Sequence, residues 1–392
     1  MANNQAVPTG RQAVPVLIFS TAYLPLIGGA EIAVKEITDR IGDFNFDLIT
    51  ARIDGKLKKE ERIGNVNVYR IGWGINALDK FFLTFFGFIK ALELDKKRNY
   101  SIIWSIMASQ AGITASFFKI ARPDKKLLLT LQEGDEEGHL KRYVSGIGFL
   151  YKLLVRPWHL LPFKNADAIT TISSDLKKRA LENGVKVPVI LVPNGVNLEI
   201  FKPGEKKDGG KKIVLTVSRL VEKNGVDDLI KAGKYLDFDF KILIIGDGPD
   251  RDKLKGLVKK MDLGEKVEFL IRQDIPQREL VKYYETADVF VRPSISEGLG
   301  NVFLEAMATG LPIIGTPVGG IPDFLIDRET GLFCQVGNPE SVAQKIKEIL
   351  EDSQLREKLI KNGLELVREK YNWNNIAFKM EEVFQNIIQI NE

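Results

Sequence analysis

The chain has 392 residues, of which 44% are hydrophobic and 28% are charged. One hydrophobic core stops growing at about 250 to 300 residues, so this length predicts two domains and excludes a single small module. The 56 Lys and Arg against 52 Asp and Glu leave a formal net charge of +4. This charge is far below that of a dedicated nucleic-acid-binding protein, so we expect no nucleic-acid partner and only local basic sites.

Cysteine and histidine are too scarce for a disulfide or zinc framework. The chain contains one cysteine, Cys334, and two histidines. These numbers exclude an intrachain disulfide and a Cys/His zinc site. Residues 1–12 are polar and lack the apolar core of a signal peptide. The densest apolar stretch, 81–94, contains Lys90 and is shorter than the roughly 18 residues of a membrane span. The sequence therefore predicts a cytoplasmic protein.

Short β-branched runs alternate with longer segments of helical period through the first half of the chain. Strands are predicted at 14–19, 46–50, 102–105, 127–131, 168–172 and 189–192. These runs are apolar along their whole length, which is typical of a parallel sheet covered by helices on both faces. Residues 1–192 are therefore predicted to form a doubly wound α/β domain of the Rossmann-like kind.

A linker is predicted at 193–212, where Pro, Gly and charged residues end the periodicity. Further strands are predicted at 213–217, 240–245, 267–271, 289–292 and 312–315. They indicate a second Rossmann-like domain over 213–372. Tyr371 and Trp373 mark the change to a C-terminal helix, 373–392, which we expect to pack back on the first domain. Two such domains that face each other predict a ligand-binding cleft at the C-terminal ends of both sheets.

A glycine-rich loop follows the predicted strand 289–292 and leads through Asn301 into a helix predicted at 302–309. Gly298 and Gly300 allow backbone amides to approach a ligand closely. The helix N-terminus directs free N–H groups and its positive dipole end to the same place. The loop therefore indicates a diphosphate site, although glycine loops before helices are common to doubly wound folds in general.

Two carboxylates accompany this loop. Glu297 lies in the loop and Glu305 lies eight residues later on the predicted helix, so both can border one pocket. A carboxylate accepts two hydrogen bonds from the vicinal diol of a ribose or hexose. In the alternative interpretation, Glu305 is a solvated helix residue and Glu297 is an acid favoured by the helix dipole.

Two cations follow the predicted strand 213–217. Arg219 comes directly after the strand and Lys223 four residues later. Fixed cations at a strand's C-terminal end can neutralise a leaving diphosphate without a metal. The alternative for Lys223 is a surface ion pair with Glu222 or Asp227.

Several motifs together resemble the retaining glycosyltransferases of family 4, which have the GT-B fold. They are 28–31, 193–197, 218–221, 246–249, 297–300 with 305–307, and 319–323. The resemblance covers nearly the whole chain. It implies a nucleotide-sugar donor held mainly by the second domain, an acceptor held mainly by the first, and transfer with retention of the anomeric configuration. No metal or other cofactor is expected.

The resemblance also implies roles for individual residues. The implied donor-binding residues are Gly28, Gly29, Gly298, Leu299, Gly300, Asn301 and Glu305, and the implied catalytic residues are Arg219, Lys223 and Glu297. Within this set Glu305 would bind the ribose hydroxyls and Glu297 the donor sugar. Arg219 and Lys223 would bind the diphosphate. The segment 237–239 has the Asp-x-Asp pattern of metal-dependent glycosyltransferases of another fold, but its place in a turn before a strand argues against a metal site.

Three positions depart from the family pattern. Asn224 stands where relatives have Lys directly before Gly, so the second cation is either Lys223 or missing. Gln132 stands where many relatives place a histidine that lines the acceptor site. The candidates on the acceptor side are Gln132, Glu133, Asp135 and His139. The segment 270–273 stands where relatives often have a glycine near the nucleotide base. The identity of the nucleotide is therefore undetermined, with UDP favoured over GDP.

The segment 139–164 is basic and amphipathic, with apolar residues at helical spacing and no acid. Such a helix can lie in an anionic membrane interface, and the Phe-rich segment 81–89 can join it. This suggests peripheral attachment to the inner face of the membrane and a lipid-linked or saccharide acceptor. The alternative is a helix that packs its apolar stripe on the sheet of the first domain.

The leading hypothesis is a transferase that moves a hexose or N-acetylhexosamine from a nucleoside diphosphate sugar to a hydroxyl. A nucleotide-sugar epimerase of the same fold is one alternative. A noncatalytic nucleotide-sugar-binding protein is another, because Asn224 and Gln132 depart from the pattern. A dinucleotide-dependent oxidoreductase is disfavoured, since no Gly-x-Gly-x-x-Gly opens a helix after the first strand.

Overall fold

The computed structural model describes residues 13–26, 28–132, 156–204, 210–272 and 275–389. These residues form two α/β domains, each built on one central sheet. Each sheet has a separate buried apolar cluster on either face. The fold is therefore the doubly wound, two-domain architecture that the alternating pattern predicted.

The sheet of the first domain has eight strands in the order β3-β4-β2-β1-β5-β6-β7-β8. The strands are β1 Val14–Phe19, β2 Phe44–Ala51, β3 Glu60–Ile63, β4 Val66–Ile71, β5 Ile102–Ile106, β6 Lys126–Leu131, β7 Ala168–Thr171 and β8 Val189–Leu191. The described helices of this domain are α1 Gly29–Thr38, α2 Asn76–Arg98, α3 Gln110–Ala121, α4 Arg156–Asn165 and α5 Ser174–Glu182.

The expectation of a wholly parallel first sheet is wrong at one edge. Strand β3 pairs antiparallel with β4, while the other pairs of neighbouring strands are parallel. The edge strand β3 and its neighbour β4 were missed by the sequence analysis. Strand β4 alternates buried and half-buried residues, and β3 is largely exposed, so neither has the continuous apolar run on which the prediction depended.

The sheet of the second domain has six parallel strands in the order β11-β10-β9-β12-β13-β14. They are β9 Lys212–Val217, β10 Phe240–Ile245, β11 Val267–Leu270, β12 Val289–Arg292, β13 Ile313–Gly315 and β14 Leu332–Phe333. Its helices are α6 Val226–Ala232, α7 Arg251–Lys260, α8 Gln277–Thr286, α9 Asn301–Ala308, α10 Pro339–Glu351 and α11 Ser353–Lys370. The two-residue strand β14 was also missed, because so short an edge strand has no measurable periodicity.

The last described helix, α12 Trp373–Gln389, crosses back to the first domain. Its apolar face joins the core cluster on one side of the first sheet. The ring of Phe384 lies 5.2 Å from the rings of both Phe44 and Trp104, measured between centroids. The chain therefore links its two domains twice, once through the linker and once through α12.

Each sheet reverses its strand order next to its first strand, at β1 and at β9. Ligands of open α/β sheets bind at the carboxyl ends of the strands at such a switch point. Between the two switch points lies the cavity described below. None of the helices in the described ranges has the length and apolar character needed to cross a bilayer.

Candidate functional site

A cavity of about 830 Å³ lies between the two domains. The first domain contributes Gly28, Gly29 and Ile32 from the start of α1. The second domain contributes the carboxyl ends of β9, β10 and β12 and the first turns of α9. This volume is in the range of pockets that hold a ligand of nucleotide size.

The charges on the cavity wall favour an anionic ligand. The charged residues on the wall, among those that the structure describes, are Arg219, Arg251, Arg272, Arg292, Asp247 and Glu305. The described wall therefore carries four guanidinium groups and two carboxyl groups. Arg251 and Arg272 are partly neutralised by ion pairs with Asp247 and Glu279, whereas Arg219 is exposed beside the end of β9.

Glu305 is the buried carboxyl of the cavity, with 8% of its surface exposed. The interpretation of this residue as a solvated helix acid is therefore wrong. Its Oε2 accepts a hydrogen bond of 2.8 Å from the hydroxyl of Tyr284, a fully buried residue of α8. Burial raises the pKa of Glu305 to about 7, while the Tyr284 hydrogen bond acts in the opposite direction. The carboxyl group is thus ready to lose a proton when a ligand supplies hydrogen-bond donors.

Glu297 is held at the start of the glycine-rich loop rather than free at a helix end. Its Oε2 lies 2.5 Å from Nη2 of Arg292 in an ion pair. Its Oε1 accepts a 3.0 Å hydrogen bond from the amide of Gly298. The residues that line the cavity include Asn301 but not Glu297 or the three residues that follow it, Gly298, Leu299 and Gly300. Leu299 is buried in the second domain's core.

The loop keeps its shape because a second glycine turn packs directly on it. A Cβ atom on Gly319, whose φ is +54°, would lie 1.8 Å from the carbonyl oxygen of Glu297. A Cβ atom on Gly320 would lie 2.2 Å from the carbonyl oxygen of Gly298. Only glycine fits at these two positions, so the motifs 297–300 and 319–323 form one unit in space.

The two predicted cations have different surroundings. Arg219 lines the cavity. Lys223 is an exposed residue of the one-turn helix Glu222–Asn224 and is not among the lining residues. The backbone carbonyl of Lys223 accepts a hydrogen bond of 2.7 Å from the amide of Ile295, so this turn supports the glycine-rich loop through its main chain.

On the first-domain side, the glycines of α1 lie close to the second domain. A Cβ atom on Gly29 would be 3.2 Å from Nδ2 of Asn301. Behind Gly29, the amide groups of Gln132 and Asn194 exchange hydrogen bonds of 2.9 and 3.3 Å. The other acceptor-side candidates, Glu133, Asp135 and His139, lie outside the described residues, as does the segment 139–155 of the predicted basic helix.

The two acids of the Asp-x-Asp segment are placed as the sequence analysis expected, in a turn before β10. Asp237 pairs with Lys347, and Asp239 pairs with Lys211. No cluster of three or more potential metal ligands occurs in the part of the chain that the structure describes.

The sequence analysis missed three residues of the site. Tyr284 carries no signal, because a tyrosine in an amphipathic helix is usually a packing residue. Arg292 ends an apolar strand directly before Pro293, and a charge at the end of a buried strand is the signal that marks it. Asn224 was noted only as a missing lysine, yet its side chain is buried and contacts Arg292.

Comparison with known proteins identifies the family. Residues 27–200 match the profile described as Glycosyltransferase Family 4, and residues 197–366 match Glycosyl transferases group 1. The chain is 30% identical over 376 residues to the uncharacterized glycosyltransferase MJ1178 of Methanocaldococcus jannaschii, covering 95% of this chain and 98% of that protein. The chain belongs to glycosyltransferase family 4.

Other relatives of this glycosyltransferase have more specific names. It is 31% identical to the N-acetyl-alpha-D-glucosaminyl L-malate synthase of Bacillus anthracis, over 46% of either chain. Its fold is similar to that of sucrose-phosphate synthase from Thermosynechococcus elongatus, with a TM-score of 0.80, 24% identity and coverage of 96% and 99%. Anabaena HepE, solved with UDP and glucose, has a TM-score of 0.75 at 18% identity, with coverage of 95% and 100%. These likenesses establish the GT-B fold.

Proposed function

We propose that this glycosyltransferase transfers a hexose or an N-acetylhexosamine from a nucleoside diphosphate sugar to a hydroxyl group, with retention of configuration. UDP is favoured over GDP, and the acceptor is a saccharide or a lipid-linked molecule. The observation that carries the proposal is the cavity between the domains, whose wall combines a glycine pair, exposed Arg219 and buried Glu305.

Each part of a nucleotide sugar has a matching group on this wall. The ribose diol would donate hydrogen bonds to Glu305, which lies deep in the second domain. The diphosphate would lie against Arg219 and the amides at the start of α9. The sugar would then lie between the glycine-rich loop and the glycines of α1, on the side where an acceptor enters from the first domain.

The proposed reaction needs positive charge where the leaving diphosphate gains negative charge. Fixed guanidinium groups provide it without reorganisation during the reaction. The acceptor hydroxyl would attack the anomeric carbon from the face that the diphosphate leaves, so the configuration is kept. Glu297, held by Arg292 and the Gly298 amide, would fix the orientation of the donor sugar.

The names of relatives support the choice of donor. Anabaena HepE has been solved with UDP-glucose, and the Bacillus anthracis relative is named for an N-acetylglucosaminyl product. A hexose or N-acetylhexosamine on UDP is the donor class that these proteins suggest for this chain.

A thermal-shift panel of UDP, GDP and their sugars tests the donor, because a ligand that binds only the folded state raises its stability. Product analysis with the donor identified in this way then separates the alternatives. An epimerase releases an altered free sugar without an acceptor, and a noncatalytic binding protein gives no product. Either result would contradict the proposed transfer.

We also propose that the first domain docks on an anionic membrane surface through helix α2. The exposed apolar side chains of the segment 73–89 are Trp73, Ile75, Leu78, Phe81, Phe85, Phe86 and Ile89, each between 45% and 60% exposed. Trp73 packs edge-on against Phe82 and Phe86, and Lys59 and Lys90 lie beside Trp73 and Phe86. Apolar patches of this size rimmed by lysines favour an interface with anionic lipid.

Co-sedimentation with vesicles that contain anionic lipid tests this docking surface. Phe81→Ser combined with Phe85→Ser should reduce binding at low salt, whereas Phe378→Ser, an equally exposed phenylalanine on α12, should not. Absence of binding by the unaltered protein would remove the membrane from the proposal and leave the transferase reaction untouched.

A further inference from the structure

Arg292 is a buried cation on the cavity wall that neither the sequence motifs nor the family pattern assigns. It ends β12 directly before the glycine-rich loop and is 8% exposed. The three residues before it in the strand are fully buried and apolar. A guanidinium group is always charged and offers five N–H donors, so its burial at this point requires anionic or strongly polar partners.

Two side chains hold the Nη2 edge of Arg292. Asn224 Oδ1 accepts a hydrogen bond of 2.7 Å from it, and Glu297 Oε2 forms the 2.5 Å ion pair. Asn224 is itself fixed, because its Nδ2 donates a 2.6 Å hydrogen bond to the carbonyl oxygen of Arg219. Asn224, which stands where the family resemblance implies a lysine, is thus hydrogen-bonded directly to Arg292.

A further donor of Arg292, its Nε group, is not satisfied by the described protein atoms. Its Nε is buried and has no hydrogen-bond partner among the described residues. The same holds for the hydroxyl oxygens of Ser218, which follows the end of β9, and of Ser294, which follows the end of the neighbouring strand β12. Buried polar atoms without partners are rare in folded proteins and call for a ligand or water. Here they gather where β9 and β12 meet, beside Arg219.

We propose that Arg292 is the second cation of the donor site and binds the donor diphosphate together with Arg219. This inference rests on the proposed function. In it, Arg292 supplies the charge that the family resemblance implies at position 224, and Asn224 orients the guanidinium group. Because Nη2 of Arg292 lies 2.7 Å from Asn224, a cation from either position reaches the same space. Glu297 limits the net charge and keeps Arg292 in place before the donor binds.

The test is isothermal titration of UDP, GDP and uridine into the intact protein and its variants. Arg292→Met should weaken UDP binding by about tenfold to a hundredfold, the range of a lost charge-assisted hydrogen bond, with uridine binding unchanged. Lys223→Met should cause a smaller loss than Arg292→Met. Arg368→Met, an exposed arginine on α11, is the control for removal of a positive charge elsewhere.

The exchange variant Asn224→Lys with Arg292→Met supplies the second measurement. It should recover most of the UDP affinity that Arg292→Met loses, because the ammonium group replaces the guanidinium group next to Glu297. A purely structural role of Arg292 predicts instead that UDP and uridine binding fall together and that the exchange does not rescue binding. Thermal unfolding without ligand checks that each variant is folded, and Arg292→Lys provides a folded, charged variant with fewer donors.

The outcomes separate this inference from the proposed function. If the unaltered protein binds neither UDP nor GDP, the proposed function fails and the inference fails with it. If the unaltered protein binds UDP and Arg292→Met binds it equally well, or if Lys223→Met loses more affinity, only the inference is overturned.

Discussion

Replacement of Glu305 by glutamine should raise the stability of the ligand-free protein at high pH and weaken its binding of nucleotide. The carboxyl is 8% exposed and burial raises its pKa to about 7, against about 4.3 in an unfolded chain. The folded protein therefore binds this proton more tightly than the unfolded protein does. Between about pH 4.3 and pH 7 the carboxyl ionises in the unfolded chain but stays protonated in the folded protein, so the free energy of unfolding falls as the pH rises. The loss of stability is complete above about pH 7.

The size of the penalty follows from the displacement of the pKa. At 1.36 kcal/mol per pH unit, a carboxyl whose pKa is raised from about 4.3 to about 7 costs about 4 kcal/mol in its ionised form. Glu305→Gln removes the charge and keeps an oxygen that can accept the hydrogen bond from Tyr284. The ligand-free variant should therefore melt roughly 8 to 16 °C above the unaltered protein at pH 8 and close to it at pH 4.5.

Nucleotide binding should change in the opposite direction. A ribose diol donates to the ionised carboxylate, so UDP affinity of the unaltered protein should be constant above about pH 7 and fall by up to tenfold per pH unit below it. Glu305→Gln should bind UDP about tenfold to a thousandfold more weakly at pH 8, the range for one or two lost charge-assisted hydrogen bonds. Calorimetry in buffers of different ionisation enthalpy should detect proton release when UDP binds near pH 6.

Glu357→Gln, which removes an exposed acid from α11, is the matched control and should change neither quantity. Tyr284→Phe removes the hydrogen bond that lowers the pKa of Glu305, so it should move the midpoint of the binding profile to higher pH. A Glu305→Gln protein that melts below the unaltered protein at pH 8, or that binds UDP normally, would refute the assignment of Glu305 as the buried ribose ligand.

Three further substitutions test other parts of the structure. Arg219→Met should weaken UDP binding by about tenfold in titration and leave uridine binding unchanged, since it removes a cation on the cavity wall. Gly319→Ala should abolish most turnover because its Cβ would meet the Glu297 carbonyl, whereas Gly337→Ala, with a similar φ and open space around it, should cost about 1 kcal/mol and keep activity. Phe384→Ala should lower the free energy of unfolding by about 3 to 5 kcal/mol in urea; a loss below 1 kcal/mol would show that α12 is not anchored to the first domain.

The strands that build the two cores were predictable because their pattern is local. Strands β1, β10 and β12 have the bounds that the apolar runs predicted, since a strand buried on both faces must be apolar along its whole length. The edge strand β3 and its neighbour β4 were not predictable in the same way. Strand β4 is held by pairing with β2 across 20 residues of chain, and β3 pairs only with β4. The residues of both strands resemble a loop in sequence.

The glycine-rich loop and its two carboxylates were likewise visible in the sequence, because close backbone approach restricts the residue types that fit. What the sequence left undecided was the state of those carboxylates. The sequence was equally compatible with Glu305 and Glu297 as ligand-binding residues and as acids on the protein surface. The fold buries the first beneath Tyr284 of another helix and pairs the second with Arg292 from the preceding strand.

The sequence by itself determined the family, the two α/β domains and the place of the glycine-rich loop, since these depend on periodicity and on short motifs. Only the tertiary structure decided which charges meet. Asn224 and Arg292 are 68 residues apart in the chain, and their contact exists only because β9 and β12 are neighbours in the sheet. Electrostatic energy depends on distance and burial in space, neither of which a linear pattern contains.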